Sequence, residues 1–141
     1  MPLGEKLYEE HGTGNAVSVK AIPSGTAAIM DFTFTSKVTG YGRLKGKVGT
    51  NRATVEILAG GEGVASGVGR GVMKFGKGET VAWERVGINT VKGDHPFYVA
   101  VLRFTTTSRQ LAWLDGLIGV VEGEIDSDLH TIHRTAHAWV F

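Results

Sequence analysis

The sequence predicts an all-β fold, a single antiparallel eight-stranded β-barrel with one short helix near residues 108–115. Two observations lead to this prediction. The 141 residues include 21 glycines but only 3 prolines, and glycine destabilises the interior of a helix by about 1 kcal/mol. Apolar and polar residues also alternate in segments that turn residues separate at fairly even intervals, as is typical of a barrel or a sandwich. Long helices are therefore not expected.

The candidate strands follow one another with polar or glycine-rich turns between them. The first alternating run, Asn15–Ile22, stops at Pro23-Ser24-Gly25, and the second breaks around Gly40. Gly76-Lys77-Gly78 lies between two later runs and predicts a tight hairpin. Eight or nine strands result, over residues 15–22, 27–41, 43–48, 53–58, 64–75, 80–88, 97–106, 117–125 and 131–141.

One stretch has the pattern of a short helix. Ser108 is a favourable N-cap residue, the residues to Leu114 are good helix formers, and Gly116 follows the expected end. A helix of about two turns would close one end of a barrel. Because no linker or shift of composition interrupts the chain, residues 1–141 are expected to form a single domain.

Composition and charge exclude several classes of function. The 15 basic and 14 acidic side chains leave a net charge of +1, so the chain has no overall attraction to nucleic acid. Without cysteine it has neither disulfides nor thiolate chemistry. We find no export signal and no apolar run of about 18 residues, and therefore expect a cytoplasmic protein with no membrane span.

The glycine-rich and serine-containing segments predict no cofactor. Gly71 to Lys77 satisfies the first seven positions of a phosphate-binding loop, but Gly78 stands where serine or threonine is required. The chain then continues as a strand instead of a helix. No serine lies in a nucleophile elbow, and no catalytic residue is predicted.

The histidines near the end of the chain predict no metal site. His133 and His137 share a strand face but lie about 13 Å apart at 3.3 Å per residue, and His130 has the opposite parity. A site made from this segment alone is therefore not expected, and we predict that binding or activity needs no metal.

Charged and aromatic residues inside apolar strands are the candidate ligand-binding residues. An unpaired buried charge is costly, so such groups lie at the surface, pair with one another or line a wet cavity. Arg103 and Glu122 are expected to lie close together because one short connection joins their strands. Adjacent residues on one strand cannot both face the lumen, and which parity faces inward stays open. The candidate set is Trp83, Glu84, Tyr98, Arg103 and Glu122.

Two strands are apolar at both parities, which predicts that the outer wall of the barrel is covered. These segments are Phe97–Leu102 and Ala136–Phe141. A solvent-facing wall should alternate. We therefore expect a homo-oligomer, with a twofold dimer as the simplest form.

Three parts of the chain together resemble a known group of proteins. They are Leu7–Gly12, the glycine-rich segments Gly61–Gly63 and Gly69–Met73, and the segment Leu111–Glu122 with its Leu-x-x-Leu-Asp-Gly-x-x-Gly pattern. The chain resembles uncharacterised small prokaryotic proteins with an allene oxide cyclase-like, lipocalin-related barrel. This resemblance implies an eight-stranded barrel that oligomerises through its wall, and it implies no activity.

Three functional hypotheses remain open. The first is a barrel that binds a small, largely apolar molecule and whose physiological role is unknown. The second is a cyclase or isomerase that uses a lumen carboxylate as acid or base. The third is a structural oligomer with a filled lumen, since the side chains of eight strands can fill a barrel. A lumen cavity of several hundred Å³ would favour the first two.

Overall fold

The structure, a computed structural model, describes the backbone of most of the chain, in five segments. These are residues 3–21, 28–59, 64–92, 95–125 and 131–139. Side chains are described within these segments, apart from residues 16–21, 28, 59, 64–65, 89–92, 95–96 and 125.

Eight strands form one closed antiparallel barrel, as the sequence predicts. Each strand pairs with the next along the chain, and the last strand pairs with the first, so the sheet has no free edge. The strands are β1 (Leu3–Ala21), β2 (Ala28–Gly40), β3 (Val48–Ala59), β4 (Val64–Gly76), β5 (Glu79–Lys92), β6 (His95–Thr105), β7 (Ile118–Ile125) and β8 (Thr131–Trp139).

The largest differences from the predicted element boundaries are at three places. The first strand begins at Leu3, well before Asn15. The segment 43–48 is not a strand, because a 3₁₀ turn at Gly42–Leu44 buries Leu44 beneath the barrel end. The helix predicted near 108–115 is also only a 3₁₀ turn, Ala112–Leu114.

The two 3₁₀ turns lie at the same end of the barrel and close it. They join β2 to β3 and β6 to β7, and in an up-and-down barrel these connections share one end. Leu44, Leu111 and Leu114 are buried there against Phe104. Beyond the turn, Gly116 has a φ of +78°, a left-handed conformation that favours glycine. This closed end is apolar.

Side chains alternate between the lumen and the outer wall along the strands. On β6, for example, Tyr98 and Leu102 are buried, whereas Phe97, Val99 and Val101 are exposed. Strand β1 departs from strict alternation because its pairing with β8 shifts register on either side of Lys6, as at a β-bulge.

Inward-facing glycines give large lumen side chains the space they occupy. A Cβ atom at Gly71 would lie 2.4 Å from the ring of Trp83, and one at Gly69 would lie 2.7 Å from a methyl group of Val55. The glycines of β4 therefore mark a close approach of lumen side chains to the backbone.

Candidate functional site

A layer of polar side chains crosses the lumen above the apolar closed end. The buried charged residues of the described chain are Glu10, Arg85 and Arg134, and all three belong to this layer. Buried charges are rare because they lose hydration, so their neighbours decide what the layer can do.

Glu10 accepts hydrogen bonds from two neighbouring strands. Its Oε1 atom accepts from Ser36 Oγ on β2 and from Asn51 Nδ2 on β3, both at 2.6 Å. The Oδ1 atom of Asn51 in turn accepts a 2.9 Å bond from the indole N–H of Trp83. The carboxylate is thus held at a fixed position by a chain of bonds that crosses four strands.

Arg134 faces Glu10 across the β1–β8 seam. Its Nε atom lies 3.1 Å from Glu10 Oε2, an ion pair without a well-aligned hydrogen bond. The guanidinium also packs 5.2 Å from the centre of the Phe34 ring. The guanidinium forms a hydrogen bond with Tyr98, but its Nη2 atom is buried and has no well-aligned acceptor among the described residues. A buried donor of this kind calls for a bound water or a ligand oxygen.

Tyr98 and Arg85 complete the layer. The guanidinium of Arg85 lies 5.2 Å from the centre of the Tyr98 ring, a cation–π distance. Gly123 makes room for Tyr98 and Arg134, because a Cβ atom there would lie 2.7 Å from the Tyr98 hydroxyl and 2.6 Å from Arg134 Cγ. The layer therefore depends on a glycine in β7.

The environment moves four pKa values in this layer. Burial raises the pKa of Tyr8 well above its usual value, and burial likewise raises the pKa of Tyr98. Burial lowers the pKa of Arg85. For Arg134, burial is the largest single influence and would lower the pKa, but Glu10, Tyr98 and Tyr8 together outweigh it, and the pKa is raised. The tyrosines stay neutral and Arg134 stays charged at neutral pH.

The cavity within the layer is small. Its volume is about 10 Å³, and it lies among Tyr8, Glu10, Trp83, Arg85, Tyr98 and Arg134. One water needs roughly this much space. In the described part of the lumen, the side chains thus leave room for one water and not for a whole ligand.

The predicted ligand-binding residues fall on both faces of the sheet, two facing the lumen and three facing outward. Trp83 and Tyr98 face the lumen and are buried, whereas Glu84, Arg103 and Glu122 are exposed on the outer wall. Of the alternatives that the sequence left open for these three charges, the structure therefore favours the surface over the lumen. Strand parity is the reason: Trp83 points inward, so Glu84 must point outward.

Arg103 and Glu122 are also not neighbours. Arg103 lies opposite Ile118 and Glu122 lies opposite Val99, which places the two charges about 13 Å apart along the β6–β7 ladder. The cross-strand partner of Arg103 is instead Glu84 on β5. The short connection between β6 and β7 does pair these strands, but the register separates the charges.

Sequence reasoning missed the central residues of the layer, Glu10 and Arg134. The signal for Arg134 was present, because Ile132, Ala136 and Ala138 share its parity and are apolar. Glu10 has a weaker signal, since Glu9 beside it has the opposite parity and the register shift near Lys6 obscures which one points inward.

Closing the barrel also brings histidines from different strands together on the outside. His11 on β1 and His133 on β8 are direct cross-strand partners, and their rings stack with centroids 4.3 Å apart. Glu9 lies beside them, and one potential ligand atom from each of the three falls within 4.8 Å of the others. The sequence argument about metals considered the C-terminal histidines alone and so missed the partner strand.

Comparison with known proteins supports the fold alone. No family model matches the chain, and no curated protein matches it significantly. The chain is similar to the crystal structure of a protein with unknown function from Clostridium acetobutylicum ATCC 824, with a TM-score of 0.78 and 14% identity over 99% of this chain and 100% of that one.

Two other solved structures have the same fold at similarly low identity. A conserved protein of unknown function from Rhodopseudomonas palustris gives a TM-score of 0.69 and 15% identity over 98% of both chains. An enzyme from Penicillium herquei gives a TM-score of 0.61 and 12% identity over 96% of both chains. The chain therefore has the eight-stranded barrel fold, shared with proteins of unknown function.

No helix among the described residues has the length and hydropathy of a membrane span.

Proposed function

We propose that the barrel binds a small, largely apolar molecule whose polar end carries an oxygen acceptor, such as a carboxylate or a carbonyl. The observation that carries this proposal is the buried Nη2 donor of Arg134, which has no well-aligned acceptor among the described residues and borders the lumen cavity. An acceptor oxygen placed there would satisfy the donor and take the place of a water.

The closed end of the barrel determines the direction in which such a molecule would lie. Leu44, Leu111 and Leu114 fill the lumen on one side of the polar layer. The body of the ligand would therefore extend toward the other end, where β1, β3, β5 and β7 finish. The polar layer is the floor of the proposed site, and only the end group of the ligand enters it.

The charged donor of Arg134 favours an anionic end group. Its guanidinium would donate a charge-assisted hydrogen bond to a carboxylate oxygen. Such bonds are shorter and roughly twice as strong as bonds between neutral groups. A carboxylate is therefore preferred over an alcohol of the same length.

An acid–base function is less well supported by the geometry. Glu10 is the lumen carboxylate of the described layer, and contacts with Ser36, Asn51 and Arg134 occupy both of its oxygens. A general base must reach the proton that it removes. A cyclase or isomerase thus remains the alternative, and it would need Glu10 to exchange one of these contacts for substrate.

A filled structural barrel is the second candidate, and the cavity of about 10 Å³ favours it. Native mass spectrometry distinguishes a filled barrel from a ligand-binding barrel. Protein purified without detergent is examined for a co-purifying small molecule and is then titrated with decanoate and with 1-decanol as probes. We expect decanoate to bind with one-to-one stoichiometry and more tightly than decanol.

Two matched variants locate the binding. Arg134→Lys keeps the charge opposite Glu10 but removes Nη2, and should weaken decanoate binding by about tenfold or more, because a hydrogen bond between charged groups contributes about 1.5–3 kcal/mol. Arg103→Lys makes the same change on the outer wall and should leave binding unchanged. Absence of both a co-purifying molecule and decanoate binding would instead support the filled barrel.

A further inference from the structure

The seam between the first and last strands carries a histidine pair and a carboxylate on the outer wall. His11 and His133 lie directly opposite each other, and Glu9 precedes His11 by two residues, so it shares the same face of β1. The two imidazole rings are nearly parallel, at an angle of 18°. Both histidines are exposed, and Glu9 is half-buried.

The donor set matches one class of metal ion. Two imidazoles and one carboxylate are ligands typical of Zn²⁺ and related first-row ions, whereas Ca²⁺ and Mg²⁺ prefer oxygen ligands alone. Zinc bonds of about 2.0–2.2 Å in a tetrahedron place ligand atoms roughly 3.3–3.5 Å apart. The ligand atoms lie within 4.8 Å of one another, so they need to approach by up to about 1.5 Å to reach that spacing.

We propose that Glu9, His11 and His133 form a binding site for a divalent transition-metal ion of the Zn²⁺ class. The remaining coordination positions face solvent and would be filled by water or by an external ligand. The site lies outside the barrel and is independent of the lumen ligand. It joins β1 to β8, so that occupancy would tie together the seam that closes the sheet.

Lys6 competes with the metal for Glu9. Its Nζ atom lies 2.5 Å from Glu9 Oε1, and Tyr41 donates a 3.1 Å hydrogen bond to Oε2. Both contacts hold the Glu9 carboxylate on the outer wall beside the histidines. A bound cation must displace or share these contacts, and removing the ammonium group should strengthen binding.

The neighbouring strands add one charge of each sign to the site. Lys37 on β2 is the cross-strand partner of His11, and Glu124 on β7 is the partner of His133. Both side chains are exposed, so water screens their opposite effects on a bound cation. The ligand set, rather than the surrounding charge, therefore determines the affinity.

Isothermal titration of tag-free, metal-stripped protein with ZnCl₂ tests the proposal. We expect one ion per chain. His11→Ala and His133→Ala should each weaken binding by at least about tenfold, since even residues that only orient metal ligands change affinity by 10- to 100-fold. Lys6→Met should strengthen binding. His137→Ala is the matched control, because His137 is on the outer face of β8 and four residues from the site.

Several results would overturn the metal proposal. Wild-type protein that takes up no Zn²⁺ would do so, as would His11→Ala and His133→Ala variants with wild-type affinity. An equal loss of affinity in His137→Ala would indicate scattered surface binding. Thermal melts of the metal-free variants check that each one is folded, and exposed histidines should tolerate the change.

A second, independent observation concerns the opposite wall of the barrel. Val68, Val86 and Val101 are consecutive cross-strand partners on β4, β5 and β6. Their side chains are 52%, 66% and 52% exposed. Ile88 and Val99 form the adjacent cross-strand pair and are exposed too. A contiguous apolar patch of this kind on a sheet face is typical of an interaction surface.

The arrangement of residues on this wall suits a second copy of the same chain. Glu84 with Arg103, Val86 with Val101, and Ile88 with Val99 are direct partners across the β5–β6 ladder. A twofold axis could lie between two copies, parallel to β5 and β6 and midway between these strands. It would place β5 of each copy over β6 of the other, so that each residue faces the residue with which it pairs in its own sheet. Glu84 of each copy would meet Arg103 of the other, and the apolar side chains of the two pairs beside them would meet one another.

We infer that the β5–β6 wall is the interface of a twofold homodimer. Sedimentation equilibrium tests it with charge-exchange variants. Glu84→Arg places like charges opposite each other and Arg103→Glu does the same, so either single variant should dissociate the dimer, whereas the double variant should restore it. Val86→Lys should also give monomer. Wild-type sedimentation as a 15.0 kDa monomer at micromolar concentration, or a double variant that stays dissociated, would overturn the inference.

Discussion

The two faces of the β5–β6 ladder carry similar residue types in very different surroundings. On the inner face, Arg85 and Tyr98 are buried in a polar layer, whereas on the outer face Glu84 and Arg103 lie beside exposed valines. An inner charge depends on fixed protein contacts, while water hydrates an outer one. The same substitution should therefore have a large effect on one face and a small effect on the other.

The largest expected effect is that of Arg134→Met. This change leaves Glu10 buried without its counter-charge, and breaking a buried pair in this way costs about 3–5 kcal/mol of the free energy of unfolding. Arg52→Met removes an exposed arginine of β3, outside the inferred dimer interface, and should change stability by less than about 0.5 kcal/mol. Urea denaturation of both variants measures the difference, and equal losses would contradict the distinction between the faces.

A smaller effect is expected when lumen packing is tightened without changing a charge. In Gly123→Ala, the new methyl group would lie 2.6 Å from Arg134 Cγ, so the layer must shift at a cost of about 1–3 kcal/mol. Gly76→Ala is the matched control, because its nearest contact would be 3.4 Å away at Glu79. If both variants melt at the wild-type temperature, the layer is looser than described.

The pH dependence of stability sharpens the comparison further. Burial raises the pKa of Tyr8 in the folded state above the unfolded value of about 10. The contribution of neutral Tyr8 to the free energy of unfolding is complete below about pH 10. It is lost as the pH rises further, because Tyr8 releases its proton at lower pH in the unfolded state than in the folded state. Tyr8→Phe should therefore lose less stability than wild type between about pH 9 and 11 in urea denaturation. If the free energies of unfolding of wild type and Tyr8→Phe fell in parallel with pH, Tyr8 would not be shielded from water.

The smallest expected effect is that of Glu122→Gln. Glu122 is exposed on β7 opposite Val99 and has no lumen partner. Its replacement should change the free energy of unfolding by less than about 0.5 kcal/mol and should leave decanoate binding unchanged. A loss of several kcal/mol, or of binding, would restore Glu122 to the lumen role that the sequence suggested.

Much of the fold could be predicted from the sequence, because strand alternation and turn residues are local signals. The hairpin at Gly76-Lys77-Gly78 is an example, since β4 ends at Gly76 and β5 begins at Glu79. The strand predicted over 43–48 failed because Leu44 is buried by a 3₁₀ turn, a tertiary contact that the alternation of Arg43, Lys45 and Lys47 does not reveal.

The candidate site was predicted only in part, because parity and register are not local. Trp83 and Tyr98 were identified as candidates, but the alternation alone could not decide whether Trp83 or Glu84 points inward, and in the structure Trp83 does. The pairing of His11 with His133 required knowledge that β1 and β8 close the barrel in that register. Val140 and Phe141, part of the predicted apolar end, lie outside the described residues, and the oligomeric state stays a prediction.

A crystal structure of the protein soaked with decanoate tests the central claim most directly. We predict that the carboxylate occupies the polar layer, with one oxygen about 2.7–3.2 Å from Arg134 Nη2 and the alkyl chain pointing away from the closed end. Decanoate found only on the outer wall, or a lumen that holds nothing beyond a single water at Arg134, would contradict the proposal that this barrel is a binding protein.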